Sequence, residues 1–176
     1  GVASISLAFA FGQLWWGLTQ PFAGALADRV GAGRVLVVGA LLVALGTFLT
    51  PLMTSTAGLI FAIGVLAAGG AGMAGPSVLM AATARLIPAD KRGMATGIIN
   101  AGGSFGQFVM APVAGVLMSG LGWASAMQVM GLLVLLLNFI TNVWVAAPFL
   151  ILLGGLGGFL VVPMNALLQH RGHNLM

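Results

Sequence analysis

Charged side chains are confined to three short stretches of this chain, and that distribution constrains its fold more than any other feature. Asp28, Arg29 and Arg34 form one group, Arg85, Asp90, Lys91 and Arg92 a second, and Arg171 stands alone, so residues 1–27, 35–84 and 93–170 carry no charge. Each run has room for at least one membrane span of about 20 residues. Of the 176 residues, 60% are apolar and 5% charged, too little polar surface to cover a water-soluble globule. Hydrocarbon offers no water to backbone groups, which must then pair internally in helices or in a closed barrel, and these runs lack the alternation of barrel strands. The expected fold is therefore all-α, a polytopic bundle of transmembrane helices.

Six spans are predicted, at residues 2–25, 35–50, 57–84, 93–118, 121–139 and 143–168. Between them, residues 28–34 and 88–92 are too charged for lipid, Pro51 with Thr54, Ser55 and Thr56 is rich in turn formers, and Ser119 to Trp123 makes a short uncharged turn. The last break, around Asn138 to Asn142, is the weakest, but a single helix from Met127 to Leu168 would overshoot the bilayer. Arg29, Arg34, Arg85, Lys91 and Arg92 all fall in the loops after spans one and three. By the bias of basic loops toward the cytoplasm, loops 26–35 and 85–93 are expected inside, with the loops at Pro51 and Trp123 outside.

A pI near 11.8 and a net charge of +4 invite a nucleic-acid reading, but the basic residues are few, sit in short loops and are not interleaved with aromatics. The bilayer and its anionic headgroups are the expected partner. Without cysteine the chain has no disulfide, thiol chemistry or thiolate metal site. His170 and His173 are too few for a metal and read as a solvated tail. No serine, histidine and acid come together, so neither an enzyme nor a cofactor is expected. Gly1 opens inside an apolar stretch with no basic segment before it, which argues against a signal peptide and for an amino terminus lying upstream.

The stretch Gly24-Ala-Leu-Ala-Asp28-Arg29-Val-Gly31-Ala-Gly-Arg34 resembles the signature loop of the major facilitator superfamily, and Arg85-Leu-Ile-Pro-Ala-Asp-Lys91-Arg92-Gly93 resembles a second cytoplasmic loop of the same transporters. In physical terms, Gly24 is expected to let helices approach, Gly31 to allow a tight reversal, and Asp28 to cap or face a helix amino terminus. Arg29 and Arg34 would hold the loop at an anionic face. A merely topogenic basic turn is the bland alternative. The resemblance implies a partial facilitator fold, with spans one to five standing for the family's second to sixth helices, and a role for Asp28 and Arg29 in tying helices together at the cytoplasmic end. Positions Ala32 and Gly33 lack the basic residues usual there.

Two helical faces carry polar residues that lipid disfavours. Asn100, Ser104 and Gln107 recur with Gly97 and Ala111 at three- and four-residue steps, and Gln13 and Gln20 do so with Gly17 and Gly24. They are candidates for lining a pore, although hydrogen bonding between helices explains them equally well. Trp15 and Trp16 could stack on a ligand, but packing is the preferred reading. Gly69, Gly70, Gly72 and Gly75 before Pro76 point to close packing and a kink.

Ala67 to Met80 and Asn100 to Gln107 are similar to a monocarboxylate and oxalate-type bacterial branch, which implies a small organic anion as substrate. Pro148 to Arg171 is similar to another branch, the bacterial lysophospholipid transporters, where it would form a tenth helix. Two parts of different apparent origin are therefore expected: residues 1–140 with about five spans, and residues 141–176 with one further span and a tail, joined by a fusion or truncation near residues 137–143. Six spans would leave Arg171 outside, against that branch's orientation. The resemblances together imply a secondary transporter of the bacterial inner membrane working by alternating access, with this chain incomplete and a second helix bundle missing. A non-transporting helix bundle and a lysophospholipid flippase fragment are the alternatives.

Overall fold

The structure, a computed structural model, describes residues 2–139, and their regular structure is entirely helical. Seven α-helices follow in order: α1 (Val2–Val30), α2 (Ala32–Leu49), α3 (Thr56–Leu59), α4 (Ala68–Met73), α5 (Pro76–Leu86), α6 (Arg92–Leu121) and α7 (Trp123–Asn138). A π-helical stretch, Ile60–Ala67, joins α3 to α4, so that Thr56–Leu86 runs as one long rod with a break before Pro76. Short 3-10 turns at Thr50–Leu52 and Ala89–Lys91 lead into α3 and α6.

The connections are tighter than the charge pattern suggests. α1 continues through Asp28 and Arg29 to Val30, and only Gly31 separates it from α2. Gly31 takes φ +95°, and Gly122 turns α6 into α7 at φ +80°, a region that a residue without Cβ enters cheaply. Arg85 likewise belongs to α5, and Arg92 and Gly93 to α6. Helices can run on into the headgroup region because their backbones stay paired while long charged side chains reach water. At the opposite end of the bundle Ser55 starts α3 by accepting the Gly58 N–H at 3.0 Å.

Three helical rods are long and apolar enough to cross a membrane: Ala32–Leu52, Thr56–Leu86 and Ala89–Leu121. The expected six spans are not reached among the described residues. α1 has 29 residues but is diluted by polar and small ones, α7 is apolar but only 16 residues long, and the span expected at 143–168 lies outside the described residues, as do His170, His173 and Arg171.

In lipid, helices are held by close van der Waals contact more than by the hydrophobic effect, so small residues decide which helices touch. The rod Thr56–Leu86 lies between α1 and α2. Toward α2, a methyl group at Gly39 would stand 2.7 Å from the Gly70 oxygen, and one at Gly46 would stand 2.5 Å from the Ala62 oxygen. Toward α1, Gly69 meets the Trp15 indole and Gly72 meets Thr19 and the Trp16 carbonyl. α7 covers the other side of α2, where Gly131 sits against the Ala44 carbonyl and the Phe48 backbone. Val43 and Ala44 of α2, Ala67 and Ala74 of the rod, Met110 of α6 and Met130 of α7 are among the members of the largest buried cluster. α6 is the outlying helix: 17% of its most apolar window is buried, against 44% for the other two rods, and it touches mainly α5 and α7.

Candidate functional site

At the charged end of the bundle, Arg85 Nη2 donates to Asp28 Oδ1 at 2.5 Å, the one ion pair among the described residues. The helices explain the meeting. α1 carries Asp28 on its last turn, α5 carries Arg85 on its own, and buried Val78 of α5 packs with Ala23, Ala27 and Val35, which brings the two ends together. Asp28 therefore pairs across helices and does not cap α2, whose first residue follows Gly31 without a side-chain cap. Both partners are about half exposed, at 59% and 52%, so water screens the pair and it is a weak, reversible clasp.

Arg29, Arg34, Lys91 and Arg92 are exposed around this pair, and Arg92 also donates from Nε to the Ile87 carbonyl at 3.3 Å. Gly24 departs from its expected part: a methyl group there would meet nothing within 4 Å, and the same holds for Gly93. The close approaches belong instead to the glycines of α2, the rod and α7, because those helices, and not the end of α1, cross at the bundle's centre.

The second feature is a polar wall. With about 3.6 residues per turn, α6 has three distinct sides. Ala95, Gly106, Met110 and Ala114 are buried against the bundle. Met94, Ile98, Phe105, Phe108 and Val116 form an exposed bulky side suited to lipid. Asn100, Ser104 and Gln107 occupy the third side with Gly97, all exposed, and with half-buried Ala111.

α1 repeats this order. Ala8, Gly12, Ala23 and Ala27 are buried, Leu7, Phe11, Leu14, Leu18 and Phe22 are exposed and bulky, and Gln13, Gly17, Gln20 and Gly24 fill the remaining side. On each helix the polar side lies about a quarter to a third of a turn from the buried one, in the same rotational sense along the chain. α1 and α6 both pack on α5 and, being separated by two reversals of direction and a third at Ala89, run antiparallel. Viewed from one end, their polar sides are thus reached by opposite rotations. Trp15 stacks on Phe11 at 6.3 Å between ring centroids and covers Gly69, which makes it a packing residue here.

A model of the Major Facilitator Superfamily matches residues 1–140. The chain belongs to the Major Facilitator Superfamily. It is a multi-pass membrane protein of a transporter family, and its clasp and polar wall lie within the matched part. A lysophospholipid transporter of Pectobacterium carotovorum subsp. carotovorum is 52% identical over 42 residues, which is 24% of this chain and 10% of that relative. The chain therefore covers only a small part of that protein's length. No solved structure matches this facilitator.

Of the residues singled out from the sequence, the structure joins Asp28 to Arg85, sets Gln13 and Gln20 on one side of α1 and Asn100, Ser104 and Gln107 on one side of α6, and leaves Arg29, Arg34, Lys91 and Arg92 at the charged rim. Sequence reasoning missed Thr19, whose hydroxyl is turned back to the Trp15 and Trp16 carbonyls at 2.9 and 3.0 Å where Gly72 abuts it. It also missed Gly39 and Gly46 as the backbone contacts of α2; their seven-residue spacing, one face of two helical turns, was the available signal.

Proposed function

We propose that this facilitator contributes one wall of a secondary transporter's solute pathway and that the solute is a small organic anion moved by alternating access. The three-sided character of α6 carries the reading. A side bearing Asn100, Ser104 and Gln107 is costly against lipid, and the bulky side beside it already supplies a lipid-facing surface. Water or solute is then the natural neighbour of the polar side, and α1 carries a stripe of the same kind.

At the charged rim, the Asp28–Arg85 clasp fastens α1 to α5 in one conformation and releases in the other, while Arg29, Arg34, Lys91 and Arg92 keep loops 26–35 and 85–93 on the cytoplasmic face of a bacterial inner membrane. In this reading residues 1–140 form the facilitator part and residues 141–176 add a further span of different origin. A second helix bundle, from another part of the whole protein or another chain, completes the pathway.

The test is substrate protection. In proteoliposomes holding the whole protein with Gln107→Cys or Asn100→Cys, a panel of small mono- and dicarboxylates should slow labelling by a water-soluble thiol reagent, while Val116→Cys stays inert. Labelling that no carboxylate slows would remove the organic-anion reading. A second reading, lysophospholipid transfer, draws on the 42 residues shared with the Pectobacterium protein. Protection by lysophosphatidylethanolamine but by no carboxylate would favour it, and protection by neither would leave a helix bundle that packs without transporting.

A further inference from the structure

The eight residues Ile60–Ala67 are wound as a π-helix, in which each hydrogen bond spans five residues where an α-helix spans four. Such a stretch absorbs one residue beyond what α winding would hold between the same two ends. At both ends the bonding is shared between registers. The Ile60 N–H is divided between the Ala57 and Thr56 carbonyls, three and four residues back, and the Ala68 N–H between the Val65 and Ile63 carbonyls, three and five back.

π winding is rare, and here two neighbouring helices fit it. A methyl group at Gly46 of α2 would stand 2.5 Å from the Ala62 oxygen and 2.6 Å from the Ala67 nitrogen, two atoms five residues apart, the spacing of a π-type bond. In α winding, at about 100° per residue, Ala67 would lie about 140° around the rod from Ala62, and the two could not share that contact. From α1, the Phe11 ring closes on Gly64, where a methyl group would stand 2.7 Å from it.

The rod is held very differently on the two sides of this stretch. Toward the charged end, Gly70 lies against the Gly39 oxygen and Gly72 against Thr19, backbone packed on its neighbours with no room to turn. At the other end, α3 is exposed at Thr56 and Ala57, and Leu59 is only partly buried. An exposed hydrogen bond from the Thr56 hydroxyl to Ser4 Oγ, at 2.9 Å, ties it to α1.

We propose that Ile60–Ala67 is a register switch of one residue. It stays π-wound while Gly46 rests on it and winds to α when α2 draws back. With the glycines toward the charged end fixed, the additional residue is passed outward, so α3 turns by about 100° and Ala57 takes the place of Thr56 opposite Ser4.

The chain has no cysteine, so Ser4→Cys can be paired in turn with Ser55→Cys, Thr56→Cys and Ala57→Cys in the whole protein in lipid nanodiscs. The dominant disulfide after mild oxidation reads the register, and the Ser4–Thr56 hydrogen bond makes Thr56 the expected partner. Gly46→Ala, whose methyl group wedges between the Ala62 oxygen and the Ala67 nitrogen, should move the disulfide by one residue, to Ala57. Removing Leu66, a half-buried residue inside the stretch, takes out the additional residue. The rod then becomes α-helical without turning α3, and Thr56 stays the partner, both alone and in combination with Gly46→Ala. The proposal is overturned if removing Leu66 moves the disulfide to Ser55, as it would in a rod with no residue to spare. It is equally overturned if Gly46→Ala leaves the disulfide at Thr56 or abolishes it at all three positions, or if the combined variant does not keep it at Thr56. The measurement needs no substrate, so it stands apart from the proposed function.

Discussion

Asp28 and Arg85 show how little a single contact needs to weigh in order to matter. An ion pair with both partners half exposed is worth about 0–1 kcal/mol, so Asp28→Asn should barely change the chain's thermal unfolding in detergent while increasing the reactivity of a cysteine placed at Ala27. The exchange Asp28→Arg with Arg85→Asp should return that reactivity to its starting value, which substitution for a merely topogenic pair of charges would not do. Both residues were legible in the sequence as loop charges. Their pairing was not, because Arg29, Arg34, Lys91 and Arg92 were equally plausible partners by sign alone, and only the packing of Val78 on Ala23 and Ala27 selects Arg85. The glycines divide in the same way. Gly72→Ala drives a methyl group into Thr19 and the Trp16 carbonyl, and should cost about 1–3 kcal/mol in a detergent-unfolding titration. Gly97→Ala meets open space and should change it by about 0.5 kcal/mol or less.

Among the elements, α6 is the most informative because it is the least covered. A cysteine scan should give a water-reactive stripe at Asn100, Ser104 and Gln107 and an unreactive one at Ile98, Phe105 and Val116, with the same division on α1 between Gln13 and Leu14. A flat profile along α6 would mean that lipid or another helix covers both sides. The existence and approximate bounds of α2, the rod and α6 follow from runs of uncharged residues long enough to span a bilayer. The ends were legible only approximately, since charge marks where side chains need water and not where the backbone stops being helical. That is why Asp28, Arg29 and Arg85 turned out to lie on helices. The kink at Gly75–Pro76 was readable from proline's missing donor, whereas the π-helical register of Ile60–Ala67, which meets Gly46 of α2 and Phe11 of α1, was not read from the sequence.

For the whole molecule, orientation is the first thing to measure. Side-specific tags at Ala32 and Ala89 should report cytoplasm and one at Thr54 the opposite face; a cytoplasmic Thr54 would overturn the assignment and with it the placing of the clasp. The sequence by itself determined the solvent, the helical class and the facilitator family, because hydrocarbon penalises every charge and every unpaired backbone group, and that penalty is written residue by residue into the chain. It also determined which residues are out of place in lipid. The tertiary structure alone decided that the polar stripes of α1 and α6 stand apart from the buried sides of their helices, that Arg85 is the cation Asp28 meets, and that Gly39, Gly46 and Gly70 are the glycines at which α2 and the rod touch. Those outcomes depend on the angles at which helices cross and on which glycines allow backbones to touch, and crossing angles are set by pairs of surfaces, which no single stretch of sequence contains.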